Sequence, residues 1–164
     1  MSARISQCGL YRYTLTRTPD PFEARRALFI GLNPSTADAE TNDATIRRLN
    51  GFCARWGVGE YTVCNLYAYR TVSPKELKGR GWQVGPDNDS WIAHEAQRVD
   101  TVVCMWGGHG QSRRVAQVWE IIKARPQVVC FGLTQGGAPK HPLYLPNDTN
   151  LIGFALQRDS DAKG

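Results

Sequence analysis

Apolar runs and helical stripes alternate along the chain. Ala27-Leu28-Phe29-Ile30-Gly31-Leu32 reads as a buried strand that ends in a turn at Asn33-Pro34-Ser35. From Thr45 to Trp56 the apolar positions Ile46, Leu49, Cys53 and Trp56 recur at spacings of 3, 4 and 3, and Gly57 stops the stripe. That is one face of a helix with a glycine cap. Tyr61-Thr62-Val63-Cys64-Asn65-Leu66 is a second strand. Ser73-Pro74-Lys75-Glu76 has capping-box spacing with proline at the first helical position, which predicts a short helix ended by Gly79. Pro86 to Val99 predicts the next helix, with Trp91, Ile92, Ala96 and Val99 on one stripe. Thr101 to Trp106 is a third strand, closed by Gly107-Gly108-His109-Gly110. Gln111 to Ala124 carries Val115, Val118, Trp119 and Ile122, and Val128 to Leu133 is a fourth strand.

Strands that are apolar almost throughout, each separated by a helix, predict a mostly parallel sheet covered on both faces. The expected fold class is α/β: a three-layer α/β/α domain with a central, mostly parallel four-stranded sheet. The alternating segment Leu10 to Leu15 adds an N-terminal edge strand. Residues 1–158 form this single domain, and residues 159–164 form a polar tail.

Composition agrees with one core, since 164 residues carry 41% hydrophobic side chains and 16 aromatics. No apolar run approaches the roughly 18 residues of a membrane span, and no apolar stretch marks a secretory leader, so a cytoplasmic protein is expected. The cysteines at 8, 53, 64, 104 and 130 form no Cys-x-x-Cys pair. They read as buried thiols in a reducing compartment, with no metal expected. The net charge is +5, and 15 of the 20 basic residues are arginine. Guanidinium pairs with phosphate in a bidentate way, so this balance permits a polyanionic partner. Arg12, Arg17, Arg25, Arg26, Arg47, Arg48, Arg113 and Arg114 flank the segments discussed next. Gathered on one face they would grip phosphates; scattered, they favour a small-molecule substrate.

In such sheets the ligand site lies outside the carboxyl ends of the strands, where four polar segments fall. Gly31-Leu32-Asn33-Pro34-Ser35 presents Asn33 at a fixed angle, either to orient a water or to close an Asx turn. Asn65 breaks an apolar strand; a buried amide needs partners, which either a nucleobase edge or a neighbouring loop supplies. His109 lies between glycines before a helix, as part of an anion site or of a sharp turn. In Pro139-Lys140-His141-Pro142 two prolines stiffen a loop around His141, which either donates to a developing oxyanion or rests on the surface. Tyr67 either stacks on a base or packs in the core. No Gly-x-Ser-x-Gly elbow, phosphate loop or dinucleotide fingerprint occurs.

Taken in order, these segments resemble the uracil-DNA glycosylase superfamily. There a strand ends in Gly-x-Asp/Asn-Pro, whose side chain positions the attacking water, and Gly31-Leu32-Asn33-Pro34 is similar, in the Asn form of the mismatch-specific branch. A later strand ends in an Asn that reads the pyrimidine edge, as in Val63-Cys64-Asn65-Leu66. Met105-Trp106-Gly107 resembles the end of the third strand, and His141-Pro142-Leu143 resembles the loop whose His stabilises the departing base. Leu32 to Asp38, Thr45-Ile46-Arg47-Arg48 and Lys140 to Tyr144 also resemble a family of bacterial and phage proteins known only as a domain of unknown function. Ser35 stands where uracil enzymes carry a tyrosine that excludes the thymine methyl group, so the resemblance implies that a pocket built alike would admit a 5-substituted or modified pyrimidine. Leu143 replaces the usual serine, and Asp38 and Asp43 add negative charge nearby.

The resemblance implies a monomeric, cofactor-free hydrolase that releases a uracil-type or modified pyrimidine flipped from DNA. Asn33 and His141 would be catalytic. Gly31, Leu32, Pro34, Ser35, Asn65, Tyr67, His109, Pro142 and Leu143 would bind substrate. Arg47, Arg48, Arg113, Arg114 and Lys140 would contact phosphates. Two alternatives stay open: a non-catalytic nucleic-acid or modified-base binding module, and an enzyme of nucleotide metabolism acting on free nucleotides.

Overall fold

The computed structural model describes residues 1–157, so the polar tail expected over residues 159–164 lies outside the described residues. The strands are β1 (Ser2–Ile5), β2 (Arg12–Arg17), β3 (Arg26–Gly31), β4 (Glu60–Asn65), β5 (Thr101–Cys104), β6 (Gln127–Cys130) and β7 (Ile152–Gly153). They form one mixed sheet in the order β1-β2-β4-β3-β5-β6-β7. The inner four pair in parallel, while β1 on β2, β2 on β4 and β7 on β6 are antiparallel. The sheet is therefore wider and more mixed than the expected four parallel strands with one edge strand.

The helices are α1 (Ala44–Trp56), α2 (Pro74–Gly79), α3 (Asn88–Gln97) and α4 (Ser112–Ile122). Ile46, Leu49, Phe52 and Cys53 of α1 join Ala27, Phe29, Tyr61, Val63 and Val103 in one cluster. Leu77, Ile92, Val115 and Val118, from the other three helices, join Leu28, Ile30, Cys64, Val102 and Cys104 in a second. Alternate residues of β3 and β5 thus feed opposite clusters, as the pleat requires. This two-sided burial explains why those strands read as unbroken apolar runs.

Local chemistry sets the helix ends. Asp43 caps α1 by accepting from Ile46 N at 3.0 Å, and Gly57 ends it at φ 68°, in the left-handed region glycine favours. Ser73 caps α2 as the capping box predicts. Its reciprocal half is relayed, however: Thr71 Oγ1 donates to Glu76 Oε2 and accepts from Ser73 N. Four of the five cysteines are buried and Cys8 is exposed. No helix among the described residues is long and apolar enough to cross a membrane.

The N-terminal region departs most from expectation. β2 is an interior strand between β1 and β4. Its pairing with β1 skips Tyr13, because Arg4 faces Thr14 and Ile5 faces Arg12. An extra residue of this kind changes which side of the sheet the following side chains take. Arg12 and Arg17, five apart, would otherwise point to opposite faces; both instead reach the 37–42 segment beside α1.

Candidate functional site

β3 leads through α1 to β4 on one side, and the chain then crosses to β5 on the other side of β3. Connections from β3 and β5 thus run in opposite directions, leaving a crevice at their carboxyl ends. A cavity of about 320 Å³ opens there, a volume at the small end of ligand sites. A groove of about 920 Å³ is larger but lies at the amino ends, against Arg25, Arg26 and Arg98. The smaller cavity gathers Asn33, Asn65, His109 and His141, with Gly31, Leu32 and Ser35, so segments far apart in sequence share one wall.

The Asn33 amide donates from Nδ2 to Thr71 O at 2.8 Å, Pro34 O at 3.1 Å and Tyr69 O at 3.4 Å. Its nitrogen therefore ties down the 69–71 loop, and Oδ1 is the amide atom left as an acceptor on a residue that lines the cavity. Asn65 behaves differently. It is 3% exposed, and its Nδ2 has no hydrogen-bond partner. A Cβ on Gly31 would lie 2.8 Å from Asn65 Oδ1, so glycine is what lets this side chain lie flat against the end of β3. A buried amide donor left without an acceptor costs about 1–3 kcal/mol, and here it belongs to a residue of the cavity wall.

His141 sits at the mouth. Its Nδ1 accepts from Leu143 N at 3.2 Å, which puts the ring proton of the neutral imidazole on Nε2, ready to donate. Much of its surface stays open, yet the surrounding protein desolvates the ring and lowers its pKa, while the Asp43 charge opposes that shift. The neutral tautomer is the favoured form at neutral pH.

Other expected site residues lie elsewhere. Tyr67 is 1% exposed, accepts from Gln111 N through its hydroxyl and packs on Trp82, so no ring face remains for a base. Pro34 and Pro142 are buried behind the loops they shape, and Leu143 is half-buried beside His141. Arg114 is buried and held by Leu66 O and Asp89, which removes it from any phosphate. Arg48 lies over Phe52 and donates to Asn147 and Leu145 O. Arg47 and Arg113 are exposed and Lys140 half-buried. The arginines do not form one face.

Two charged residues join the cavity wall: Arg12, from β2, expected only as one of the flanking arginines, and Asp43, the α1 cap, expected only as negative charge nearby. Asp43 stands where a helix-capping signal would place it. Arg12 shows only as a charge inside an alternating strand. Among the described residues, no group of three or more His, Cys, Asp or Glu side chains is arranged to hold a metal ion.

A family model described as a protein of unknown function (DUF1643) matches residues 12–143. The chain belongs to this family. The match runs from Arg12 to Leu143 and so spans every residue of the cavity wall. No curated protein and no solved structure matches the chain.

Proposed function

We propose that this DUF1643 protein hydrolyses the N-glycosidic bond of a uracil-type or modified pyrimidine flipped out of DNA. The observation that carries the reading is the meeting of Asn33, Asn65 and His141 around one base-sized cavity at the crossover of the sheet. The free Oδ1 of Asn33 accepts from a water and aims its oxygen at C1′. As the C1′–N1 bond breaks, its electron pair stays with the base. Asn65 Nδ2 donates to a carbonyl of that base, and His141 Nε2–H donates to the oxygen on which charge accumulates. The carboxamide orients the water but takes no proton, so the water's proton passes to solvent.

The fold supports this reading only at the level of its α/β class, since the sheet has seven strands and is mixed. Tyr144, two residues beyond Pro142 and 93% exposed, offers an aromatic edge for the gap a flipped base leaves. A free pyrimidine nucleotide is the second substrate, and the scatter of the arginines favours it. Mass spectrometry of released base tests both, over duplexes carrying uracil, thymine mismatches or hypermodified pyrimidines and over free nucleotides. Release from DNA supports the first reading and release from nucleotides alone the second. Binding without release from either would make the protein a recognition module.

A further inference from the structure

Arg12 is 3% exposed and lines the same cavity as Asn65. Among the described residues its guanidinium makes one hydrogen bond, from Nη1 to Ala37 O at 2.8 Å, and its Nε has no partner. Arg17, on the same strand and reaching the same segment, provides the internal control. It donates to Asn42 Oδ1, Thr16 O, Asp38 O and Thr41 O, so each of its three nitrogens is engaged. Nothing about the segment prevents an arginine from being satisfied there, yet Arg12, a residue of the cavity wall, keeps a buried Nε without an acceptor.

The unmet demand of the cavity wall is thus one-sided. Arg12 Nε and Asn65 Nδ2 are both buried donors without acceptors. Asp43, the nearby negative group, spends Oδ1 on capping α1, and Arg12 has no carboxylate within ion-pair distance among the described residues. A buried fork of donors beside a buried amide calls for oxygen acceptors, and the guanidinium charge favours ones that carry negative charge. Desolvation lowers the Arg12 pKa to about 10, which still leaves it cationic at neutral pH.

We infer that the inner wall of the cavity, centred on Arg12, binds the oxyanion of a charged ligand, a carboxylate or a phosphate. The identity of what carries it rests on the reading of the cavity as a base site. There the oxyanion belongs to a pyrimidine, as a ring carboxylate or as the phosphate of its nucleotide.

Calorimetric titration of the full chain tests this with 5-carboxyuracil, its neutral carboxamide, deoxyuridine monophosphate, deoxyuridine and inorganic phosphate. At least one charged pyrimidine should bind ten-fold or more tightly than its neutral counterpart. Arg12→Gln should erase that preference. Asp43→Asn keeps a capping side chain while removing an opposing charge, so it should enlarge the preference. It serves if Arg12→Gln does not fold. Arg12-dependent binding of phosphate that no pyrimidine displaces would keep the oxyanion site and overturn the base-site reading. Equal binding of charged and neutral ligands, no binding of any probe, or a preference unchanged in both variants would overturn the inference.

Discussion

Arg12 and Arg114 are both 3% exposed, yet the molecule uses them in opposite ways. Arg114 projects from α4 and closes a polar joint. Its Nε donates to Leu66 O at 2.6 Å, Nη1 to Gln117 Oε1 at 3.3 Å, and Nη2 lies 2.7 Å from Asp89 Oδ1. Arg12 holds a single backbone carbonyl and leaves Nε open beside a cavity. A buried charge is costly in either place. Each also keeps one nitrogen outside hydrogen-bond geometry, so what separates a structural charge from one poised for a ligand is the carboxylate beside it: Asp89 for Arg114, none within ion-pair distance of Arg12 among the described residues.

The largest effect should come from breaking the filled joint. Arg114→Ala removes a charge-assisted bond to a buried carbonyl, a loss of about 2–3 kcal/mol, which lowers the midpoint of thermal unfolding by roughly 5–10 °C. Arg12→Gln gives up one bond to Ala37 O and should cost about 1 kcal/mol. Scanning calorimetry of the two variants measures the contrast, and equal losses would erase the distinction between the residues.

A smaller effect is expected at the floor of the cavity. Gly31→Ala puts a methyl group 2.8 Å from Asn65 Oδ1. A displaced Asn65 loses its contact with the ligand, and a loss of about 1.4 kcal/mol is a ten-fold weaker pyrimidine. Unchanged binding in the variant would mean that Asn65 does not touch the ligand.

The smallest effect is electrostatic. Burial favours the neutral form of His141, and Asp43 partly offsets this. The folded protein therefore binds fewer protons at this ring than the unfolded chain, so stability rises with pH through the window below the ordinary value of about 6.5 and falls as the pH drops through it. Asp43→Asn removes the opposing charge and should lower the His141 pKa further, as followed by proton NMR of the imidazole. A rise would show that Asp43 does not act on the cavity.

How much of this was legible in the sequence follows from where each group finds its partners. The helices and the inner parallel strands show as periodic stripes and unbroken apolar runs, because two-sided burial writes itself into local composition. β1 is largely exposed and β7 is two residues long, so neither carries an apolar run. β2 buries Arg12, Thr14 and Arg17, and the residue skipped at Tyr13 defeats simple alternation. Asn33 and Asn65 stood out as amides at the ends of apolar strands. The engagement of Arg12 with Ala37, of Tyr67 with Gln111 and of Arg114 with Asp89 joins residues 25 or more positions apart. Burial by such distant partners leaves no local pattern.

The most direct measurement is the rate of base release by wild type and by Asn33→Ala on the best substrate of the duplex and nucleotide screen. The account predicts free base from the wild-type protein and a loss of roughly 100-fold or more in the variant, the scale set by removing a group that positions the reacting atoms. Losing the Nδ2 bonds to Thr71 O and Pro34 O should also lower the thermal midpoint, so the rates are compared well below the midpoints of both proteins. Equal rates, or no free base from any substrate, would contradict it.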